Sequence, residues 1–177
     1  MAHAPLPIDP IAEARRQWRA HGWTDAADGM AALTSIMRVQ QLMLSRVETV
    51  LRPFELTFAR YELLTLLGFT RDGALPMASA SARLQVHPTS VTNTVDRLEA
   101  ARLVRREPHP TDGRATLVVL EPAGRELAVS ATTALNTQVF GDLGIAQDDL
   151  ETLMRILARY RRDAGDFDDP EPLPEPL

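Results

Sequence analysis

From Pro88 to Ala100, Val91, Val95 and Leu98 recur at helical spacing, while Thr89, Ser90, Asn93 and Arg97 lie outside that apolar set. At about 100° per residue the three apolar side chains form one narrow stripe of a helix. A surface that needed only solubility would carry Glu or Lys, which are better helix formers than Thr, Ser and Asn. The short polar groups therefore ask for a reason.

The same periodicity predicts further helices. Ile11–Trp23 reads as a short helix with Ile11, Ala14 and Trp18 on one face, ended by Gly22. Asp28–Arg52 reads as a long helix with Leu33, Ile36, Met37, Leu44, Val47 and Leu51 apolar, stopped by Pro53. Thr57 can cap a helix over Phe58–Phe69, apolar almost all round and so central to the core. Asp72-Gly73 marks a turn. Met77–Leu84 is a short helix, and Gln85-Val86-His87 connects it to a helix that Pro88 can begin without losing a hydrogen bond. Two helices joined by three residues, the second with a polar outer face, make a helix-turn-helix pattern. After Leu103 the period shortens: "LVRRE" and "ATLVVL" read as strands around "PHPTDGR", a hairpin tip. A helix from Pro122 to about Phe140 points Leu127, Ala131, Ala134 and Leu135 inward. A last helix, Gln147–Arg162, gathers Leu150, Leu153, Met154, Leu157 and Tyr160 on one side. No internal repeat is visible.

The chain thus divides into five segments: a loose arm over 1–10, N-terminal helices over 11–56, the helix-turn-helix and hairpin over 57–120, C-terminal helices over 121–162, and an acidic, Pro-alternating tail over 163–177 expected to be disordered. The fold class is mainly α with a small β-wing.

Composition changes the picture in two places. There is no cysteine among the 177 residues, which removes disulfides, thiolate catalysis, thiol sensing and Cys-based zinc sites. No apolar run approaches the roughly 18 residues of a membrane span, and no signal-peptide pattern opens the chain, so the expectation is a cytoplasmic protein with no membrane partner. The net charge of −5 argues against a nucleic-acid partner until its distribution is considered. The tail from Asp163 holds six acids and no base; without it 18 acids face 19 basic residues. Every basic residue is Arg, which GC-rich coding also explains, and each can make a planar bidentate contact.

"PTSVTNTVDRLEAARLVRR" followed by "PTDGRATLVVLEPAGREL" resembles the MarR family of winged helix-turn-helix transcription factors. The likeness runs from about Thr34 to Tyr160. It is carried by an ordered set: Val91, Leu98, Leu103-Val104 and Arg105, then Asp112-x-Arg114 and Gly124. The resemblance implies a winged helix-turn-helix DNA-binding lobe and a helical dimerisation lobe. It also implies a homodimer whose terminal helices interlock and whose two recognition helices bind a pseudo-palindromic double-stranded operator, with half-sites about 10 bp apart. A repressor is the family default. Two departures stand out. Arg102 occupies a position where the family usually has Gly, so the recognition helix is expected to end differently. In the wing "PHPT" replaces the first Asp/Arg pair, which thins its positive charge.

On that reading Thr89, Ser90, Asn93 and Arg97 face the major groove. Arg pairs bidentately with guanine and Asn with adenine, while Thr and Ser reach bases or phosphates. Arg114 is the wing-tip residue for the minor groove and Asp112 its orienting partner, with a plain hairpin ion pair as the alternative. Arg105 and Arg106 are phosphate candidates, with an internal salt bridge as the alternative for one of them; Arg83 is another candidate. Family members commonly bind small anionic or aromatic ligands between the two lobes. Trp18, His21 and Trp23, with Arg15, Arg16 and Arg19 close by, are ligand candidates, as is Arg60; the tryptophans equally suit a plug in a dimer crevice. No nucleophile elbow, phosphate loop or His-x-x-x-His spacing occurs, so neither enzyme activity, a cofactor nor a metal is expected. A winged-helix adaptor or ligand sensor without sequence-specific DNA binding is the alternative function, favoured by net acidity and the thinned wing.

Overall fold

The computed structural model describes residues 6–168. The chain divides after Thr49 into two units. In the first, α1 (Pro10–Ala20) begins where the Asp9 carboxylate accepts the Ile11 N–H at 2.9 Å. The expected loose arm therefore gives way to a helix cap at Asp9; its first five residues lie outside the described part. α1 stops at Ala20 rather than Trp23, because Gly22 turns left-handed at φ 83° and the Trp23 N–H reaches back to the Trp18 carbonyl at 2.9 Å. α2 (Thr24–Leu51) starts four residues before the expected Asp28. Leu33, Ile36, Met37, Val39 and Leu42 are exposed along it.

In the second unit a 3-10 turn at Arg52–Phe54 leads into α3 (Phe58–Phe69), capped by Thr57 as its sequence predicts. Tyr61, Leu63, Leu64 and Leu67 of α3 are buried. β1 (Ala74–Pro76) precedes α4 (Met77–Leu84) and α5 (Pro88–Ala100). β2 (Val104–Pro108) and β3 (Thr116–Leu120) form the expected hairpin. The antiparallel sheet has the order β1-β3-β2, with Leu75 and Arg106 on either side of Val118. The sequence reading missed β1: three residues show too little alternation, and the strand exists only because β3 supplies its partner.

α6 (Pro122–Leu135) packs on α3 and continues through a π-helical turn at Asn136–Phe140, matching the expected extent. Its buried face is Gly124, Ala128, Ala131 and Leu135; Leu127 and Ala134, expected inward, are half-buried. The Tyr61 hydroxyl and Thr132 Oγ1 share a hydrogen bond of 3.0 Å between α3 and α6. α7 (Gln147–Asp163) buries no residue. Its expected apolar side is present but uncovered, with Met154 56% and Tyr160 73% exposed. The acidic tail, expected to be loose from Asp163, is held as far as its described part runs: the Asp166 carboxylate takes Arg161 Nε at 2.5 Å. Residues 169–177 lie outside the described part. Among the described residues no helix is long and apolar enough to cross a membrane.

Candidate nucleic-acid interface

α5 is set by its two ends and one stripe. His87 Nδ1 accepts the Thr89 N–H at 3.2 Å, and Pro88 occupies the first turn. Val91, Val95 and Leu98 are buried, so the opposite face is forced outward. Thr89, Ser90 and Asn93 are exposed with Arg97 beside them, and none of these side chains has an internal partner. Thr92, between them, instead returns its hydroxyl to the Pro88 carbonyl at 3.1 Å. Asn93, Asp96, Arg97 and Ala100 line a shallow concavity of about 540 Å³. The face thus presents one guanidinium, one amide and two hydroxyls available to an external partner.

The C-terminus of α5 corrects an expectation. Arg102 does take the left-handed conformation, φ 57°, that a glycine would adopt more easily. The Arg102 N–H donates to the Glu99 carbonyl at 2.9 Å and the Leu103 N–H to the Leu98 carbonyl at 2.9 Å. This pair of hydrogen bonds ends the helix in the ordinary way for a left-handed cap. Arg102→Gly is therefore expected to stabilise the protein by about 1 kcal/mol, raising the melting temperature by about 2–4 °C. A thermal melt followed by circular dichroism checks this; an unchanged or lower midpoint would show that the Arg102 side chain compensates for its backbone.

Of the arginines assigned to phosphates, two are committed elsewhere. Arg106 bridges Asp96 at 2.5 Å and pairs with Glu99, while its backbone N–H donates to Glu99 Oε1 at 3.0 Å. Burial opposes the Arg106 charge, but the hydrogen bonds it donates to Asp96 and Glu99 outweigh it and raise the guanidinium pKa above its ordinary value. Arg106 therefore locks β2 to α5. Arg105 bonds Glu107 at 2.7 Å and Glu121 at 2.9 Å. Apart from Glu107 on the same strand edge, these partners stand seven to sixteen residues away, a juxtaposition that linear spacing does not reveal. Arg83, near the end of α4, is exposed and has no internal partner.

The wing tip is organised by His109. His109 Nδ1 accepts the N–H groups of Thr111 at 3.3 Å and Asp112 at 3.2 Å. Asp112 accepts the Arg114 backbone N–H at 3.0 Å, so it orients Arg114 through the main chain and not through an ion pair. The Arg114 side chain is left exposed and unpaired.

The ligand candidates separate. Trp18 and Trp23 meet edge-on at 5.3 Å and His21 stacks on Trp23 at 5.6 Å. This is the apolar contact that accompanies the left-handed end of α1. The nearby cations are paired: Arg15 and Arg19 reach Asp28 at 2.7 and 3.0 Å, and Arg16 reaches Glu13. The hydrogen bond from Arg15 holds the Asp28 carboxyl below its usual range. Arg60 Nη1 donates to the Glu55 carbonyl at 3.2 Å.

A cavity of about 240 Å³ that sequence reading missed opens between α3 and α6, lined by Thr65, Phe69, Leu120, Arg125, Val129 and Thr133 among others. Thr65 Oγ1 is buried there without a hydrogen-bond partner. Its signal in the sequence was a threonine inside the apolar run Leu63–Leu67; the folded chain sets it in the same cavity as Thr132 and Thr133 of α6.

Comparison with known proteins places this arrangement. The family model described as MarR family matches residues 54–115. An HTH-type transcriptional regulator of Mycobacterium leprae is 31% identical over 97 residues, which is 55% of this chain and 68% of that protein. The structure of Sco5413, a MarR family transcriptional regulator from Streptomyces coelicolor, is 46% identical, with a TM-score of 0.73 over 80% of this chain and 99% of that one. Sco3205 from the same organism, solved in complex with DNA, shares the fold at 24% identity and TM-score 0.65, over 81% of this chain and 93% of that one. With α5 presented beside a three-stranded wing, and with these relatives, the chain belongs to the MarR family of transcriptional regulators.

Proposed function

We propose that this regulator binds a pseudo-palindromic duplex operator as a homodimer, represses transcription by blocking access to the promoter, and is modulated by a small anionic or aromatic ligand. The observation that carries the DNA reading is the unpartnered set on α5: Thr89, Ser90, Asn93 and Arg97 have nothing inside the protein to bond. Buried apolar residues on the reverse face hold that set rigidly outward. Arg83 and Arg114, both unpaired, supply phosphate and minor-groove contacts. Arg105 and Arg106 position the wing and the helix and do not grip DNA. The uncovered apolar side of α7 supports the dimer. The α3–α6 cavity, holding an orphan hydroxyl and an arginine at its edge, supports a compact ligand with one apolar ring and one anionic group.

The test is an anisotropy titration with DNA flanking the protein's own gene, at two salt concentrations, against random DNA. Tight, sequence-dependent binding that weakens steeply with salt is expected. Binding to a protein partner with neither salt dependence nor DNA selection would favour the adaptor reading. Within the DNA reading, Arg97→Ala is expected to lower operator affinity by roughly 1–3 kcal/mol and relax selectivity at one base pair. Equal losses on operator and random DNA would instead make Arg97 a phosphate contact.

A further inference from the structure

Two helix ends meet at the turn of the helix-turn-helix, and each is locked by its own backbone. α7 finishes at a left-handed Gly165, φ 73°. The Gly165 N–H returns to the Arg162 carbonyl at 2.9 Å and the Asp166 N–H to the Arg161 carbonyl at 2.9 Å. α4 finishes the same way at Gln85, φ 53°: its N–H returns to the Ala82 carbonyl at 3.3 Å, and that of Val86 to the Ser81 carbonyl at 3.3 Å. The Ser81 hydroxyl then donates to the Val86 carbonyl at 2.7 Å. Paired returns of this kind fix the direction in which a chain leaves a helix, so the Asp166 and Gln85 side chains start from set positions.

The two ends grip each other. Gln85 Nε2 donates to the Asp166 carboxylate at 2.8 Å and to the Asp166 carbonyl at 3.2 Å. Arg161 Nε meets the same carboxylate at 2.5 Å, and Arg161 Nη2 reaches Gln85 Oε1 at 3.5 Å. Phe167 lies against the Arg161 and Arg162 guanidiniums at 5.2 and 5.8 Å. Glycine would take the Gln85 backbone conformation more easily, so it is the side chain that Gln85 contributes here. Gln85 stands two positions before His87, the cap of α5. Arg161 stands one turn beyond Leu157, along the side of α7 that also carries Met154. One helix thus bears both the uncovered apolar side assigned above to a second copy and the group that holds the helix-turn-helix. We propose that Gln85, Asp166 and Arg161 form a latch that ties the recognition helix to the dimerisation helix and so sets the half-site spacing the protein accepts. The inference rests on the dimeric DNA reading given above. All three are positioning residues, acting through the placement of α5. One recognition helix reads one half-site with or without the latch. Two helices on one duplex must also stand the right distance apart, and affinity falls with the fraction of dimers that hold that distance. Exposed polar contacts shift such an equilibrium only a few-fold each, but a dimer carries the latch twice.

Three full-length variants test it: Gln85→Gly, Asp166→Ala and the two combined. The probes are a duplex of about 30 bp selected by the parent from a random pool, the same duplex with one base pair added between its half-sites, and a duplex with a single half-site. Each variant is expected to bind the selected duplex roughly 10-fold more weakly than the parent, and the single half-site as the parent does. The added base pair is expected to weaken the parent roughly 10-fold and the variants about 2-fold. The combined variant is expected to be no worse than either single one, because both break the same contact. None of the three latch residues is buried, so the Asp166→Ala thermal midpoint is expected to match the parent's. The chain has no cysteine, so Ala100→Cys places one spin label at the end of each α5. The label-to-label distance in the DNA-free dimer is expected to be narrowly distributed with the latch intact and broad in the variants. Variants that keep either the narrow distance or the parent's preference for one spacing would overturn the proposal. So would equal losses on the single half-site, which would make these residues local supports or DNA contacts. A distance that broadens in a protein selecting no duplex would keep the latch and overturn the DNA reading instead.

Discussion

Gly124→Ala is expected to lower stability by about 3 kcal/mol or more, and with it the melting temperature by about 6–12 °C. A Cβ at this position would overlap the Leu103 carbonyl oxygen and stand 3.0 Å from its carbon and 3.0 Å from Leu120 Cδ1. The first two of these atoms are backbone, and they are not free to move. The Leu103 carbonyl already accepts the Glu121 N–H at 3.0 Å, and the next residue, Val104, starts β2 inside the core. Any shift that relieved the clash would pull α6 off α3 or open the β2–β3 pairing. Gly29→Ala is the control, because nothing lies within 4 Å of its Cβ and it sits inside α2. There alanine is expected to gain about 0.5–1 kcal/mol from helix propensity. Thermal melts of both variants decide the matter. A Gly124→Ala midpoint within error of the parent would mean that α6 does not need its close approach to Leu103.

The second large effect concerns α7. Met154→Glu with Leu157→Glu is expected to halve the solution mass from a dimer of 19.6 kDa chains and to weaken operator binding by about 100-fold or more. The 17-residue α7 buries nothing within its own chain, and an isolated helix of that length is marginal in water. Its apolar side needs a cover, and the proposed cover is a second copy, which also places two recognition helices on one duplex. Two charges on each copy would then face their counterparts without water, at a site where the monomer's own core is untouched. Light scattering reads the mass and anisotropy reads the affinity. A double variant that stays dimeric would move the interface elsewhere, and a parent that is already monomeric would remove the dimer from the proposal.

How much of this was legible depended on the distance over which each interaction acts. The bounds of α3 and α4 and the start of α5 come from local periodicity, from the Thr57 cap and from Pro88, all of which operate within one turn. The outward set Thr89, Ser90, Asn93 and Arg97 was readable for the same reason, since burying Val91, Val95 and Leu98 leaves those side chains no inward direction. The end of α1 was misplaced because Gly22 acts two residues beyond the helix it terminates. At Arg102 the residue type argued for another helix end, yet the Leu98 and Glu99 carbonyls found their partners with a left-handed arginine in between.

Identity alone thus determined the helices, the wing hairpin and the polar face of α5, because hydrogen bonds within a helix and the placing of apolar residues inside are settled between near neighbours. Tertiary structure alone decided which cations remain free. Arg105 and Arg106 look no different from Arg97 in the sequence, but β2 carries them to Glu121, Asp96 and Glu99, and a guanidinium already held by carboxylates gains little from a phosphate. The pairing of β1, the α3–α6 cavity and the meeting of Gln85 with Asp166 are of the same kind: each joins residues dozens of positions apart, and only the folded chain brings their atoms within reach.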